Sequence, residues 1–407
     1  MNATETNTEN PVVVVGGGPA GMMLGYQLAR AGIATCVVEK HGDFLRDFRG
    51  NPLNPSTLEI LDQLDLLAGF RGLPQEHVQE LAVRIRGRRQ PVADVHGLPP
   101  FDYLALVPQW DLLDFIAGQA REFPQFDLRM RHEATALVWR DSCVAGVRVH
   151  TAEGEKQLDA RLVIACDGRS SVLRKAAGLE PKHLGAPMDV LWFRLPRTRN
   201  DESGAFAIVA RGHMMVLLDR GNYWQAAYLV PKGGDATLRR QPLRVLQNGI
   251  VQIAPFLAEA VEALLGWDEV KTLTVEVNRL DRWHRPGLLL IGDAAHAMSP
   301  IGGVGINLAI QDAVAAANVL IPVLQAGQVP EAGVLDRVRR RRQAPVRLIQ
   351  RLQCVAQDRI IRKVLERSGE PPSMPRLLRW LLRYRVLRRL PASLIGYGWR
   401  RERVEWL

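Results

Sequence analysis

Three glycines and one glutamate carry the clearest chemistry in the sequence. Residues 11–40 read PVVVVGGGPAGMMLGYQLARAGIATCVVEK. Gly16, Gly18 and Gly21 form G-x-G-x-x-G between the β-branched run Val12–Val15 and an apolar helical pattern over about Ala20 to Ala31. Gly16 permits a tight turn, Gly18 lets backbone approach a pyrophosphate, and Gly21 lets helix and strand pack closely. Pro19 and Ala20 complete the turn into the helix, whose free N–H groups favour an anion. Glu39 closes a second strand about 20 residues on, where a carboxylate takes both ribose hydroxyls and disfavours a 2′-phosphate; Lys40 follows it. This spacing predicts an unphosphorylated adenine dinucleotide.

Two more carboxylates end apolar strands. In LLLIGDAAHAMSPIGGVGIN, Asp293 follows Leu288–Ile291 and Gly292, and a loop with Pro300, Gly302, Gly303 and Gly305 leads into a helix. A carboxylate beside a helix N-terminus could take hydroxyl groups and an anion, although strand, glycine loop and helix is also an ordinary corner. In CDGRSSVLR, Asp167 and Gly168 stand before Ser170, Ser171 and Arg174, which alone is equally a capped helix start. Arg49, in the loop before a helix expected over Leu58–Leu67 with Ser56 or Thr57 as cap, would clamp a pyrophosphate if one lay beside it.

The whole chain must position these groups. Its 407 residues suffice for two or three domains, and 47% apolar and 24% charged residues are ordinary for a soluble globular protein. The polar start MNATETNTEN shows no secretory signal, and no uninterrupted apolar run reaches the roughly 18 residues of a membrane span. Four scattered cysteines fit a reducing cytoplasm, and nine histidines form no ligand-spaced cluster. The net charge of +10 is concentrated late: residues 336–407 hold 20 Lys and Arg against 6 Asp and Glu, leaving the rest at −4.

The three motifs GGGPAG, CDGRSSVLR and GDAAHAMSPIGGVGIN occur in the order and spacing of class A FAD-dependent monooxygenases, the aromatic hydroxylases of the para-hydroxybenzoate hydroxylase fold, and residues 11–325 resemble that family. The resemblance implies an α/β architecture: a Rossmann-like three-layer FAD-binding domain (11–75, 101–184 and 276–325), an inserted mixed β-sheet substrate domain (76–100 and 185–275), and a C-terminal helical segment (326–407). It also implies roles. Gly16, Gly18 and Gly21 would hold the FAD pyrophosphate with Arg49, and Glu39 the adenosine ribose. Gln109 would lie along the ribitol chain and Asp293 on a ribitol hydroxyl. Gly305, Ile306 and Asn307 would meet the pyrimidine edge of the flavin. Asp167 and Arg169 belong to a motif implicated in FAD and NAD(P)H handling. Asn51 departs from the aspartate more usual in the subgroup.

The resemblance further implies that NADPH or NADH reduces the flavin transiently. O2 then forms a C4a-hydroperoxyflavin that hydroxylates an aromatic, phenolic or polyketide-like small molecule. Pro300 would wall the reacting edge. Trp192, Arg194, His213, Met215, Trp224, Gln225 and Tyr228 are candidates for the substrate wall, against the reading that large sheet residues are core. The rival readings are a reductase or a halogenase of the same fold, although the halogenase string W-x-W-x-I-P is absent, and a peripheral membrane flavoprotein. The basic stretches RVRRRRQ and RLLRWLLRYRVLRRL suit a packed helix with a solvated face better than a membrane surface. No nucleic-acid module accompanies them.

Overall fold

The computed structural model describes residues 10–45, 52–85, 87–198, 204–366, 392–394 and 396–407. A six-stranded sheet is built around Val12–Val15 (β1), whose valines are at most 4% exposed. β-Branched residues covered on both faces suit the centre of a parallel sheet, and each such valine contributes on the order of 2 kcal/mol by burial. The other strands are Thr35–Glu39 (β2), Phe126–Met130 (β3), Leu162–Ala165 (β4), His284–Arg285 (β5) and Leu288–Leu290 (β6). Their order is β5-β6-β4-β1-β2-β3, parallel except for β5. The carboxyl ends of β1, β2, β4 and β6 therefore share one edge, where open α/β sheets bind ligands.

The principal helices are Pro19–Arg30 (α1), Pro55–Gln63 (α2), Gln109–Ala120 (α3), Val172–Ala176 (α4), Arg244–Ile253 (α5), Gly305–Gln325 (α6) and Ala332–Ala356 (α7). Helix α6 packs against α1 on one side and α7 on the other. With the turn before it, α6 is long and apolar enough to cross a membrane, but 89% of that apolar stretch is buried inside the protein. It is the core helix. An antiparallel meander, Glu133–Arg140, Cys143–Thr151 and Gly154–Asp159, joins the same core.

A second, seven-stranded sheet has the order Lys271–Leu273, Met188–Pro196, Tyr223–Pro231, His213–Asp219, Ala205–Ala210, Glu80–Ile85, Arg88–Asp94. It is antiparallel except where Glu80–Ile85 runs parallel to Ala205–Ala210. One face packs on α5 through Leu191, Phe193, Met215, Trp224 and Tyr228. The opposite face carries Val190, Trp192, Ala227 and Leu229, which pack with Ile301 from the glycine-rich loop and with Ile361 and Leu365.

One expectation changes in its bounds. The helix expected over Leu58–Leu67 begins at Pro55 after Asn54, stops at Gln63, and resumes as Leu67–Arg71 beyond Asp65, whose φ is 56°. Ser56 and Thr57 thus lie inside its first turn and do not cap it. Among the described residues the C-terminal segment is helical, as expected, through α7, a π-turn (Gln357–Ile361), Arg362–Leu365 and again at 392–394 and 396; residues 401–407 follow without helix. Arg49, Asn51 and the basic stretch 376–390 lie outside the described residues.

The basic run of α7 is largely engaged within the chain. Arg339 and Arg340 pair with Asp336, Arg341 with Glu402 and Glu405, and Arg342 is fully buried against Asp312.

Candidate active site

Four chain segments meet at the carboxyl edge of the parallel sheet. Gly16 has φ +107°, and a Cβ there would stand 2.4 Å from the Cys166 carbonyl oxygen. A Cβ on Gly21 would be only 1.9 Å from the Gly16 oxygen, so strand and helix approach as only glycine allows. In front of Gly18 a Cβ would meet nothing within 4 Å. Gly18 also precedes α1 without a side-chain cap, which leaves the helix's first N–H groups for an anion. Glu39 is held at the mouth, Oε2 accepting from Gly17 N (2.8 Å) and Oε1 from His41 N (3.0 Å), with Lys40 exposed beside it.

The second and third motifs are stitched together. Arg169 Nη2 lies 3.1 Å from Asp293 Oδ2, and both side chains are 29% exposed. Arg174 is buried; its Nη1 donates to Ala294 O (3.0 Å) and its Nη2 to Arg169 O (2.7 Å). Ser171 caps α4 by accepting from Arg174 N. Asp167 Oδ2 accepts from Leu173 N (3.2 Å), while Oδ1 is buried without a hydrogen-bond partner. Burial pushes the Asp167 carboxyl above the usual range, partly offset by hydrogen bonds from Ser171 and from the Leu173 backbone.

The turn before Asp293 has a buried anchor. Gly292, at φ +61°, donates its N–H to Asp312 Oδ2 (3.0 Å), which also lies 2.6 Å from His296 Nε2. Arg342 Nε donates to Asp312 Oδ1 (2.8 Å), and Arg342 Nη1 stands 3.6 Å from Glu402 Oε1. Burial pushes the Asp312 carboxyl up, but His296 and Arg342 outweigh it and hold it below the usual range.

Asn307 is corrected in part. Its side chain points away from the sheet edge: Oδ1 accepts from Asn54 N (2.8 Å) and Thr57 Oγ1 (2.7 Å), and Nδ2 donates to Pro52 O and Gly303 O. Only its backbone N–H is left for a ligand. The N–H groups of Gly305, Ile306 and Asn307 all precede the first intrahelical donor of α6, Leu308 N to Val304 O (3.0 Å), and Val304 provides no side-chain cap. Pro300 is half-buried, and its carbonyl accepts from Gly303 N (3.1 Å). Gln109 is the first residue of α3 and half-buried.

The large sheet divides the expected wall residues. Trp192 and Arg194 lie on the face that meets the glycine-rich loop. The Arg194 guanidinium sits over the rings of Trp110 (5.3 Å), next to Gln109, and Tyr223 (5.0 Å), and so joins this sheet to α3. A register row across that face reads Val83, Ala207, Val216, Ala227, Trp192, of which Val83, Ala207 and Val216 are only half-buried. Gln225 shares the face but is wholly buried, its Oε1 accepting from Arg220 Nε. His213, Met215, Trp224 and Tyr228 are corrected: they belong to the opposite face. His213 Nδ1 and the Tyr228 hydroxyl are hydrogen-bonded there, and a Cβ on Gly249 of α5 would lie 2.8 Å from that hydroxyl.

A family model described as "FAD binding domain" matches residues 9–352. The chain is 34% identical to 6-methylpretetramide 4-monooxygenase of Streptomyces rimosus over 86% of its own length and 84% of that protein's. The chain belongs to the class A FAD-dependent aromatic monooxygenase family. A second relative, the 12-dehydrotetracycline 5-monooxygenase/anhydrotetracycline 6-monooxygenase of S. rimosus subsp. rimosus, is 28% identical over 74% of the chain, which spans 61% of that longer protein. In three dimensions the chain superposes on p-nitrophenol 4-monooxygenase PnpA of Pseudomonas putida DLL-E4 with a TM-score of 0.80 at 22% identity, covering 97% of this chain and 99% of that one. This likeness establishes the fold.

Three features of the monooxygenase site escaped the sequence reading: Arg174 as a stitch between motifs, Asp312 as the anchor of the Gly292 turn, and the glutamines of α7 behind the glycine-rich loop. A signal existed for two of them. Asp312 stands alone in an apolar helix, and Gln350, Gln353 and Gln357 recur at helical spacing beside buried Val346 and Ile349.

Proposed function

We propose that this monooxygenase uses NAD(P)H and O2 to hydroxylate an aromatic, phenolic or polyketide-like small molecule, with FAD laid along the carboxyl edge of the parallel sheet. The observation that carries the reading is the position of the glycine-rich loop. It lies between the uncapped start of α6 and the apolar row of the large sheet, against which its Ile301 packs. The names of the relatives, which give 6-methylpretetramide, 12-dehydrotetracycline, anhydrotetracycline and p-nitrophenol as their substrates, support the substrate class.

When bound, FAD supplies the electron transfer and oxygen activation that no side chain can. The residues do the rest. The Gly16–Gly21 turn and the first amides of α1 seat the pyrophosphate, and Glu39 takes the adenosine ribose. Asp293, steadied by Arg169, binds a ribitol hydroxyl, with Gln109 along the same chain. The N–H groups of Gly305, Ile306 and Asn307 stabilise negative charge at the pyrimidine edge of the flavin. Pro300 bounds the substrate space, and the row from Val83 to Trp192 supplies a flat apolar floor that keeps water out. Arg194 stands at its rim. One dinucleotide fingerprint serves FAD, so NAD(P)H binds transiently elsewhere on the surface. The protein works in the cytoplasm, and its basic α7 is a packed helix and not a membrane anchor.

The test is to purify the protein, record the flavin spectrum, and follow NADH and NADPH oxidation across p-nitrophenol, quinolones and tetracyclic polyketides under 18O2. Substrate-stimulated oxidation with one labelled oxygen in the product is expected. A protein that cannot be loaded with FAD refutes the reading, and stimulated oxidation without oxygen transfer makes it a reductase.

A further inference from the structure

The loop that carries Pro300 is gripped from behind by one face of α7. Gln350, Gln353 and Gln357 follow at intervals of three and four, which places them on one side of a helix, and each is at most 5% exposed. Gln353 Nε2 donates to both carbonyls flanking Pro300, Ser299 O (3.0 Å) and Ile301 O (2.9 Å), while its Oε1 accepts from Ser299 N (3.2 Å). Gln357, at the start of the π-turn, donates to Ser299 Oγ (2.8 Å), which also accepts from Ile301 N (3.3 Å).

The next acceptors are also engaged, Pro300 O by Gly303 N and Gly303 O by Asn307 Nδ2. The start of α6 is opposite in character, because its first three N–H groups have no acceptor within the helix. The segment is electrically poled, with carbonyl oxygens turned into the protein and donors left at the α6 start. Buried amide side chains are costly unless bonded, and apolar residues here would strand two carbonyls. The choice of glutamine therefore fixes the orientation of the loop.

We propose that Gln353, backed by Gln357, is a positioning residue for the flavin. By taking the Ser299 and Ile301 carbonyls it keeps their negative ends away from the pyrimidine edge, so that the α6 amides act there unopposed. This rests on FAD binding as described above.

The experiment measures the two-electron flavin potential of the FAD-loaded protein by anaerobic equilibration with reference dyes. Gln353→Leu should retain FAD but bind reduced FAD about tenfold more weakly relative to oxidised FAD, a downward shift of about 30 mV. Gln353→Glu supplies the rescue. Its neutral form donates one hydrogen bond and restores a near-native potential, whereas its carboxylate repels both carbonyls. The gap to wild type should therefore widen as pH rises, from above the ordinary glutamate range because the site is buried. Gln350→Leu, which loses the bonds to Asn278 O and Ala297 O and the one accepted from Arg279 Nη1 but none to the Pro300 loop, should lower stability and leave the potential unchanged. Should Gln353→Leu fail to fold, Gln357→Leu, which removes a single bond, should still lower the potential. A wild-type potential in the folded, FAD-loaded leucine variant, with a wild-type pH profile in Gln353→Glu, overturns the proposal. A wild-type chain that takes up no FAD sinks the underlying reading instead.

Discussion

Replacing Asp312 by asparagine removes a charge shared by three groups: Gly292 N at 3.0 Å, His296 Nε2 at 2.6 Å and Arg342 Nε at 2.8 Å. An asparagine keeps one acceptor oxygen, so at least one of these groups then faces an NH2. Arg342, with a side chain 0% exposed, is left with Glu402 at 3.6 Å as its remaining counter-charge. Breaking a buried pair by removing one partner costs about 3–5 kcal/mol, because the other charge stays buried. Unfolding entropy of about 2.1 cal/mol/K per residue over 407 residues converts this into an apparent Tm lower by about 4–6 °C.

The assay is thermal melting at pH 6–8 with FAD content measured alongside, since Gly292 sets the turn that presents Asp293. Within that window the Asp312 carboxyl itself stays ionised. The folded carboxyl lies below its ordinary value, so its contribution is complete above about 4 and is lost only as pH falls through the folded value. Adding Arg342→Met should recover part of the loss by removing the stranded guanidinium. A single Asp312→Asn variant that melts within about 1 °C of wild type and keeps its FAD would refute the reasoning.

Gly21→Ala must displace strand or helix, because the new Cβ would lie 1.9 Å from the Gly16 oxygen. FAD affinity measured by equilibrium dialysis should fall about tenfold or more, and an unchanged value removes Gly21 from the cradle. Asp336 is held at about 2, chiefly by the Arg339 hydrogen bond and despite some desolvation, against an ordinary value of 3.8. A depressed carboxylate contributes stability that is present above the unfolded value and lost as pH falls through the folded one, so Asp336→Asn should cost about 2 kcal/mol at pH 7. Urea unfolding at pH 7 and at pH 3 should show the wild-type advantage shrinking on acidification; an advantage that is equal at both pH values contradicts the assignment.

The strand, turn and helix of the dinucleotide signature were legible because their determinants are local. Val12–Val15, the three glycines, α1 and Glu39 lie within thirty residues, and the structure sets them as the spacing predicts. Strand, turn and helix around Asp293 were legible for the same reason. The large sheet was not, because both of its faces are apolar. Alternation separates Trp192 from Phe193 but cannot say which of them α5 covers, and His213 and Tyr228 were misjudged for want of that helix. The arginines of α7 were legible as a packed helix but not in their pairings. Arg342 is buried because Asp312 and Glu402 come from remote parts of the chain, and a run of like charges does not reveal distant partners.

The stretch after Gly396 reaches back across much of the molecule. Tyr397 hydrogen-bonds both backbone groups of Phe101, Arg401 and Arg403 reach Glu59, and Trp406 Nε1 donates to Gln27 across 379 residues of sequence. These residues are translated after every helix they tie down. Arg341 and Arg342 therefore emerge from the ribosome well before Glu402; the 61 residues from Arg341 to Glu402 take roughly 3–12 s at ordinary elongation rates. Throughout that interval the nascent chain can pair Arg342 with Asp312 of α6 but lacks the second counter-charge, Glu402 at 3.6 Å. A chain interrupted there keeps the whole FAD fingerprint in its sequence and holds Arg342 by Asp312 alone, with Arg341 deprived of both Glu402 and Glu405.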